Sequence, residues 1–305
     1  MRGLELARAY YEEYGRPMIE EQFPAYAGRI AVGLAGEGSE CFGYDDQYSR
    51  DHDFEAGFCL WLTREDGEAI GFPLFRAYGK LPAEYRGVKK EKSSLFGGGR
   101  KGVMEISEFY GRMIGCPGVP GSLEEWLAIP EYALAQAVNG QVFRDDLGEF
   151  SRIREELGRG YPEDVRLKKI AARAAVMAQA GQYNYSRCLR RGEAGAAALA
   201  AAEFAKAGIS MVFLLNKRYT PYYKWMLRAM GELPVLGELR EPMERLLTGG
   251  GDGARLIEEI CGAVIAEMAR QGLTGGNWDY LEPHALEVTE RIQDGNLRNL
   301  HLMEG

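Results

Sequence analysis

Apolar side chains recur at three- and four-residue spacing from the start of the chain: Leu4, Ala7, Tyr10, Tyr11, Tyr14 and Met18. That period predicts a helix over residues 4–22, which Pro24 and Gly28 end. Residues 29–34 read as a short buried strand and run into Gly36-Glu37-Gly38-Ser39, a tight turn. After a polar stretch, residues 51–62 read as a second strand on the β-compatible bulk of Phe54, Phe58, Leu60 and Trp61. Residues 63–100 read as loop-rich. Residues 103–107 read as a third strand whose alternation sets Glu105 opposite Met104 and Ile106, with Ser107 as a helix cap.

From Ser122 the pattern becomes helical and strand signals vanish. The clearest helix covers 163–191, where alanine is dense from Ala171 to Ala178. Gly181 interrupts it and Gly192 stops it. Further helices are predicted over 193–216, from Pro221 to Met230, over 254–271 and near 283–294. This change of character predicts an α+β chain with a strand-containing domain over 1–120 and an all-helical domain over 121–305.

Composition refines the picture in three respects. Of the 305 residues, 46% are hydrophobic, enough for a substantial core. The net charge of −8 argues against long nucleic acid as a partner. It still leaves room for a local basic pocket and for a cationic small-molecule acceptor. The five cysteines are widely spaced with no CxxC, so neither a disulfide framework nor a zinc site is expected. The longest apolar-rich stretch, 194–202, is shorter than a membrane span needs, and the N-terminus lacks a signal-peptide run. The expectation is a cytoplasmic protein with no membrane role.

The candidate chemistry lies near the N-terminus. On an extended strand, residues i and i+2 share a face, so Asp51 and Asp53 are expected to project side by side. Two such carboxylates repel unless a cation lies between them, and a pair of Mg²⁺ ions would supply it. Gly38 leaves room for phosphate, the turn's backbone N–H groups form an anion-binding concavity, and the Ser39 hydroxyl can donate to a phosphate oxygen. His52 points away from the acids and reads as a packed histidine. Asp45 and Asp46 read as turn or cap residues rather than ligands. Arg50 either pairs with one of them or contacts phosphate.

Gly38-Ser39, Gly43 and Ser49-Arg50-Asp51-His52-Asp53 together resemble the signature of the polymerase-beta-like nucleotidyltransferase superfamily, in its kanamycin-type and minimal forms. Arg50, between Ser49 and Asp51, departs from the commonest spacing. The stretches GEGSECFGYDDQYSRDHDF, VFRDDLGEFSRIREEL, QAGQYNYSRC and LLNKRYTPYYKWMLRAM resemble a bacterial branch of that superfamily with a C-terminal helical domain.

The resemblance implies a mixed sheet with flanking helices. It also implies transfer of NMP from an NTP, ATP favoured, to a small-molecule acceptor, with release of pyrophosphate. It further implies a third metal-binding acid on a later strand, for which Glu105 is the candidate and Glu108 the competitor. Asp51, Asp53 and Glu105 would then be both the catalytic and the metal residues.

Arg166, Lys169, Arg173, Asn184, Arg187 and Arg191 recur on one face of the helix over 163–191. They read either as a solvated face or as a basic wall toward the triphosphate, with Lys169, Arg173 and Arg187 as the nucleotide contacts. The aromatic and cationic residues of 217–225 read either as core or as a stacking surface. Residues 96–101 read as a basic loop. Competing readings are a catalytically weak nucleotide- or partner-binding module with a helical protein partner, as in toxin–antitoxin pairs, and protein AMPylation.

Overall fold

The computed structural model describes residues 1–50, 54–89 and 99–305, with Arg50 described by its backbone alone. Asp51, His52 and Asp53 lie outside the described residues, as does most of the glycine-rich loop before Gly99. The fold is α+β and mostly helical, with a small mixed sheet.

The chain opens with α1 (Gly3–Tyr10), a π turn (Tyr11–Gly15) and α2 (Arg16–Gln22), which continue one another as a single bulged helix. Then come β1 (Ala31–Leu34), α3 (Ser39–Phe42), β2 (Cys59–Leu62) and α4 (Arg64–Gly79). A two-strand ribbon of β3 (Glu84–Tyr85) and β4 (Val88–Lys89) precedes β5 (Gly102–Glu105) and α5 (Ile106–Ile114). Next are α6 (Leu123–Ala128), α7 (Glu131–Val138), β6 (Gln141–Arg144) and α8 (Glu149–Gly158).

The remainder is helical. α9 (Glu163–Met177) passes through a π segment (Ala178–Tyr185) into α10 (Ser186–Arg190). There follow α11 (Ala194–Leu215), α12 (Tyr223–Met230), α13 (Arg240–Thr248), α14 (Gly253–Arg270), α15 (Leu281–Glu290) and α16 (Gly295–Asn299).

Two compact units emerge. The first joins Met1–Val119 to Ala133–Gly158, and the second joins Pro120–Tyr132 to Arg159–Gly305. In the first unit the sheet runs β5-β2-β1-β6. β1 is antiparallel to both β2 and β6, while β2 is parallel to β5. Every residue of β2 is buried, as befits a strand covered on both faces. Leu60 and Leu62 join the core formed with Leu6, Tyr10, Ile19 and Leu74. Trp61 points the other way and stacks on Phe150 of α8 at 3.8 Å between ring centroids.

Three sequence expectations need correction here. Residues 54–58 are not strand, and β2 starts at Cys59. The supposed loop region after residue 63 contains the 16-residue α4. Thr63 caps it by accepting from the Asp66 N–H at 3.1 Å, and the buried Asp66 carboxylate is met by Arg29 at 2.8 Å. Strand signals do not vanish after Ser122 either: β6 pairs with β1, opposite a bulge at Val32/Gly33. A smaller shift concerns α5, whose N-cap is Glu105 rather than Ser107.

In the second unit α9 and α11 form the centre. Ala171, Ala172, Ala174 and Ala175 are buried, so the neighbouring helices approach the α9 backbone closely. Gly181 faces Phe204, and a Cβ there would collide with the ring. Among the described residues, α11 is the one helix long and apolar enough by composition to cross a membrane, because its apolar run continues to Leu215. It is mostly buried within its own unit.

Candidate functional site

The Gly-Ser turn is built by backbone conformation. Gly36 and Gly38 have φ of 104° and 114°, where a side chain is strained. A Cβ on Gly38 would also collide with Arg100 Nη2 and Glu40 Oε2. Ser39 then opens α3, and Gly43 closes it in the left-handed region.

Residues far along the chain hold the turn. The Asn139 side chain accepts from the Gly36 N–H and donates to the Gly36 carbonyl, both at 2.8 Å. The Gly140 N–H donates to the Cys41 carbonyl at 2.9 Å. Arg154 in turn donates to the Asn139 and Gly140 carbonyls, each at 3.1 Å.

Arg100 and Lys101 lie against the same turn. Arg100 Nη2 donates to the Glu37 carbonyl and to Glu40 Oε1, the latter at 2.9 Å. Lys101 Nζ stands 3.8 Å from Glu40 Oε1 and donates to the Glu55 carbonyl at 2.8 Å. Glu40 is buried and sits between the two cations. Phe54, which follows Asp53 in sequence, reaches the same neighbourhood: a Cβ on Gly3 would touch both its ring and Glu40. Nearby, Asp45 accepts from the Gly3 N–H at 2.8 Å, and Asp46 accepts from the Tyr48 and Ser49 N–H groups. These are the capping and turn roles expected of them.

Glu105 is not brought to this turn. Gly33, Cys59 and Gly102 lie across from one another at the turn's end of the sheet, whereas Glu105 is opposite Leu62. Three residues of strand carry it about 10 Å further along. Its carboxylate accepts from Ser107 Oγ at 3.1 Å and packs tightly against Gly67 of α4, where a Cβ would stand 3.0 Å from Oε1. Glu108 is exposed on α5. Asp51 and Asp53 lie outside the described residues, and among the described residues no three His, Cys, Asp or Glu side chains cluster to hold a metal ion. The described side chains therefore do not make up a magnesium site.

Lys169, Arg173 and Arg187 belong to the second unit. Lys169 and Arg173 line a cavity of about 530 Å³ enclosed by the 127–132 segment, α9, α11 and the 220–226 segment. Arg187 does not line it. The π segment between widens the helical turn, so a face spaced at 3.6 residues in α9 is not continued in α10. Arg187 instead lies over the Tyr183 ring at 4.5 Å. Arg166 is buried and bound to Glu163 at 2.6 Å, a structural pairing.

Sequence reasoning missed the cavity's central residue, Glu131. Arg173 Nη2 meets it at 2.9 Å, Ser210 Oγ donates to it at 2.9 Å, and Thr220 Oγ1 donates as well. Burial raises the Glu131 pKa, but Arg173, Lys169 and the two hydroxyls outweigh burial and leave it below the usual value. Burial does the opposite to Lys169, whose pKa is pushed down to about 8 despite the attraction of Glu131. No local motif marks Glu131, because its partners come from α9, α11 and Thr220.

A family model described as "Domain of unknown function (DUF4037)" matches residues 126–226. Among solved structures, the chain is similar to a nucleotidyltransferase-like protein from Exiguobacterium sibiricum 255-15, with 12% identity and a TM-score of 0.37 over 93% of this chain and 81% of that one. No curated protein matches the chain.

Proposed function

We propose that the protein is a nucleotidyltransferase that moves NMP, with ATP as the expected donor, to a small-molecule acceptor and releases pyrophosphate. The observation that carries this reading is the Gly36–Ser39 turn. It is held at one end of the sheet with Arg100 and Lys101 beside it, Arg100 and Glu40 filling the space at Gly38. Phe54, the residue after Asp53, packs beside the turn's short helix. A glycine turn flanked by cations suits a polyphosphate, whose negative charge they offset.

In this reading the turn's backbone N–H groups and the Ser39 hydroxyl orient the phosphates, and Arg100 exchanges its Glu40 contact for a phosphate oxygen. Asp51 and Asp53 belong to the proposal as the carboxylates for Mg²⁺, which would offset charge on the phosphates.

The test is isothermal titration of ATP, GTP, CTP and UTP with Mg²⁺ into the wild type and into Asp51→Ala/Asp53→Ala. Binding of one nucleotide, lost in the double variant, supports the reading. Absence of binding to folded wild type overturns it. The place of Glu105, away from the turn, favours one second reading: a module that binds nucleotide with little turnover. Nucleotide binding without pyrophosphate release across an acceptor screen would select it.

A further inference from the structure

The cavity of the second unit holds one cation whose donors its structure does not fill. Glu131 and Arg173 satisfy each other, and Arg173 also donates to Ser210 Oγ and to the Gly305 carbonyl, both at 2.9 Å. Lys169 is different. It is 3% exposed, yet its only hydrogen bond among the described residues is a long one, 3.4 Å to the Leu127 carbonyl. Its ammonium also stands 5.2 Å from the centre of the Tyr161 ring. An ammonium has three donors, and a buried charge without full partners is costly.

Glu131 and the Gly305 main-chain oxygen both bind Arg173, and neither is a hydrogen-bond partner of Lys169. At the mouth, exposed Glu203 and Lys206 offset each other. The chain's overall charge of −8 leaves room for a cationic acceptor, but the unfilled donors of the buried Lys169 ammonium call for an anion.

The mouth supplies a second kind of contact. Tyr132, Tyr222 and Tyr223 are 44%, 41% and 70% exposed, far more than rings in a core. The Tyr132 and Tyr222 centroids are 5.9 Å apart, and those of Tyr222 and Tyr223 are 4.4 Å apart. A wall of exposed rings above a buried cation suits a ligand with a flat apolar part and a charged end. The volume of about 530 Å³ admits a small molecule and not a folded partner. Every lining residue except Gly305 also lies within the stretch 126–226 that matches the family model.

We propose that this cavity is a binding site for a small organic anion bearing a planar ring, with Lys169 meeting the anionic group and Tyr132 and Tyr222 holding the ring. The anionic group is a carboxylate or a phosphate. The site stands whether or not the first unit transfers nucleotides.

The experiment is ligand-observed fluorine NMR on the full chain without NTP or Mg²⁺, so that failure of nucleotidyl transfer leaves it unaffected. The probes are 4-fluorobenzoate, 4-fluorophenyl phosphate and 4-fluorobenzamidine. At least one anion is expected to bind and the amidine is not, and the stronger anion tells carboxylate from phosphate. Lys169→Met, checked for folding by circular dichroism, is expected to weaken anion binding at least tenfold. Tyr222→Ala, at an exposed position, is expected to weaken it several-fold. Absence of anion binding, equal binding of the amidine, or anion binding unchanged in both variants overturns the proposal.

Discussion

Asn139 and Gly36, 103 residues apart in sequence, exchange two hydrogen bonds of 2.8 Å through the Asn139 amide and the Gly36 peptide. The pairing fixes the entry of the Gly-Ser turn from outside it. Asn139→Ala leaves a buried N–H and a buried C=O at Gly36 without these partners. Each such loss costs about 1–3 kcal/mol. The variant is expected to be destabilised by about 2–6 kcal/mol in urea unfolding and, on the proposed function, to bind NTP more weakly than wild type. A loss below about 0.5 kcal/mol, within the range of an ordinary surface change, would mean that Gly140 and Arg154 hold the turn without it.

Two glycines in the first unit predict opposite outcomes. Gly38 has a left-handed φ and no space, because Arg100 and Glu40 occupy the place of a Cβ. Gly38→Ala is expected to cost about 1–3 kcal/mol from backbone strain alone, with more from displacing Arg100. Gly71 lies inside α4 with open space around it. Gly71→Ala is expected to stabilise by about 0.5–1 kcal/mol. Thermal unfolding of the pair reads both signs in one experiment.

Local pattern and pairing account for which parts were legible in the sequence. The opening helix, β1, the glycine turn and helices α9, α11, α12, α14 and α15 carry their own period, punctuation or both, and the structure has them close to where these fall, whereas the short α13 and α16 were not read from the sequence. Asp46 was readable as a turn residue because its hydrogen-bond partners Tyr48 and Ser49 are local, whereas Asp45 caps Gly3, 42 residues away, a partner its own stretch does not reveal. α4 was hidden by Gly67, Gly71 and Pro73, although Thr63 and Asp66 carried its cap signal. β6 is four half-exposed residues between helices, and only its pairing with β1 makes it a strand. Glu105 was found on its strand, but its distance from Gly38 depends on a parallel register that one strand cannot reveal. Glu131 was missed for the same reason, since all its partners are remote.

The same remoteness predicts how the chain can be cut. A fragment ending at residue 120 lacks β6, Asn139 and Phe150, all of which belong to the first unit. It would expose an edge of β1 and the Trp61 face that stacks on Phe150. That fragment is expected to be unfolded or aggregated by circular dichroism. In the full chain, Phe150→Ala is expected to cost about 3–5 kcal/mol. A fragment 1–120 with a cooperative melt and native-like tryptophan emission would contradict this division of the chain.

Lys169 offers a prediction whose sign depends on pH. Burial lowers its folded pKa to about 8 from an ordinary 10.5. Between those values the unfolded chain binds more protons, so the Lys169 contribution to stability rises with pH, by about 1.4 kcal/mol per unit where the difference is complete. Below pH 8 both states are charged and the cost of burial is fully present. Tyr161 and Tyr219, raised by burial, weaken the fold above pH 10 in wild type and in Lys169→Met alike, so the difference between the two proteins isolates Lys169. At pH 7 the Met variant is expected to be at least as stable as wild type. From pH 8 to pH 10 wild type is expected to gain on it by about 2–3 kcal/mol. Urea unfolding of both proteins at pH 7, 8, 9 and 10 measures this. A Met variant weaker than wild type by about 2 kcal/mol at pH 7, as removal of a well-paired buried charge would produce, would make Lys169 a structural cation rather than one held in reserve for a ligand.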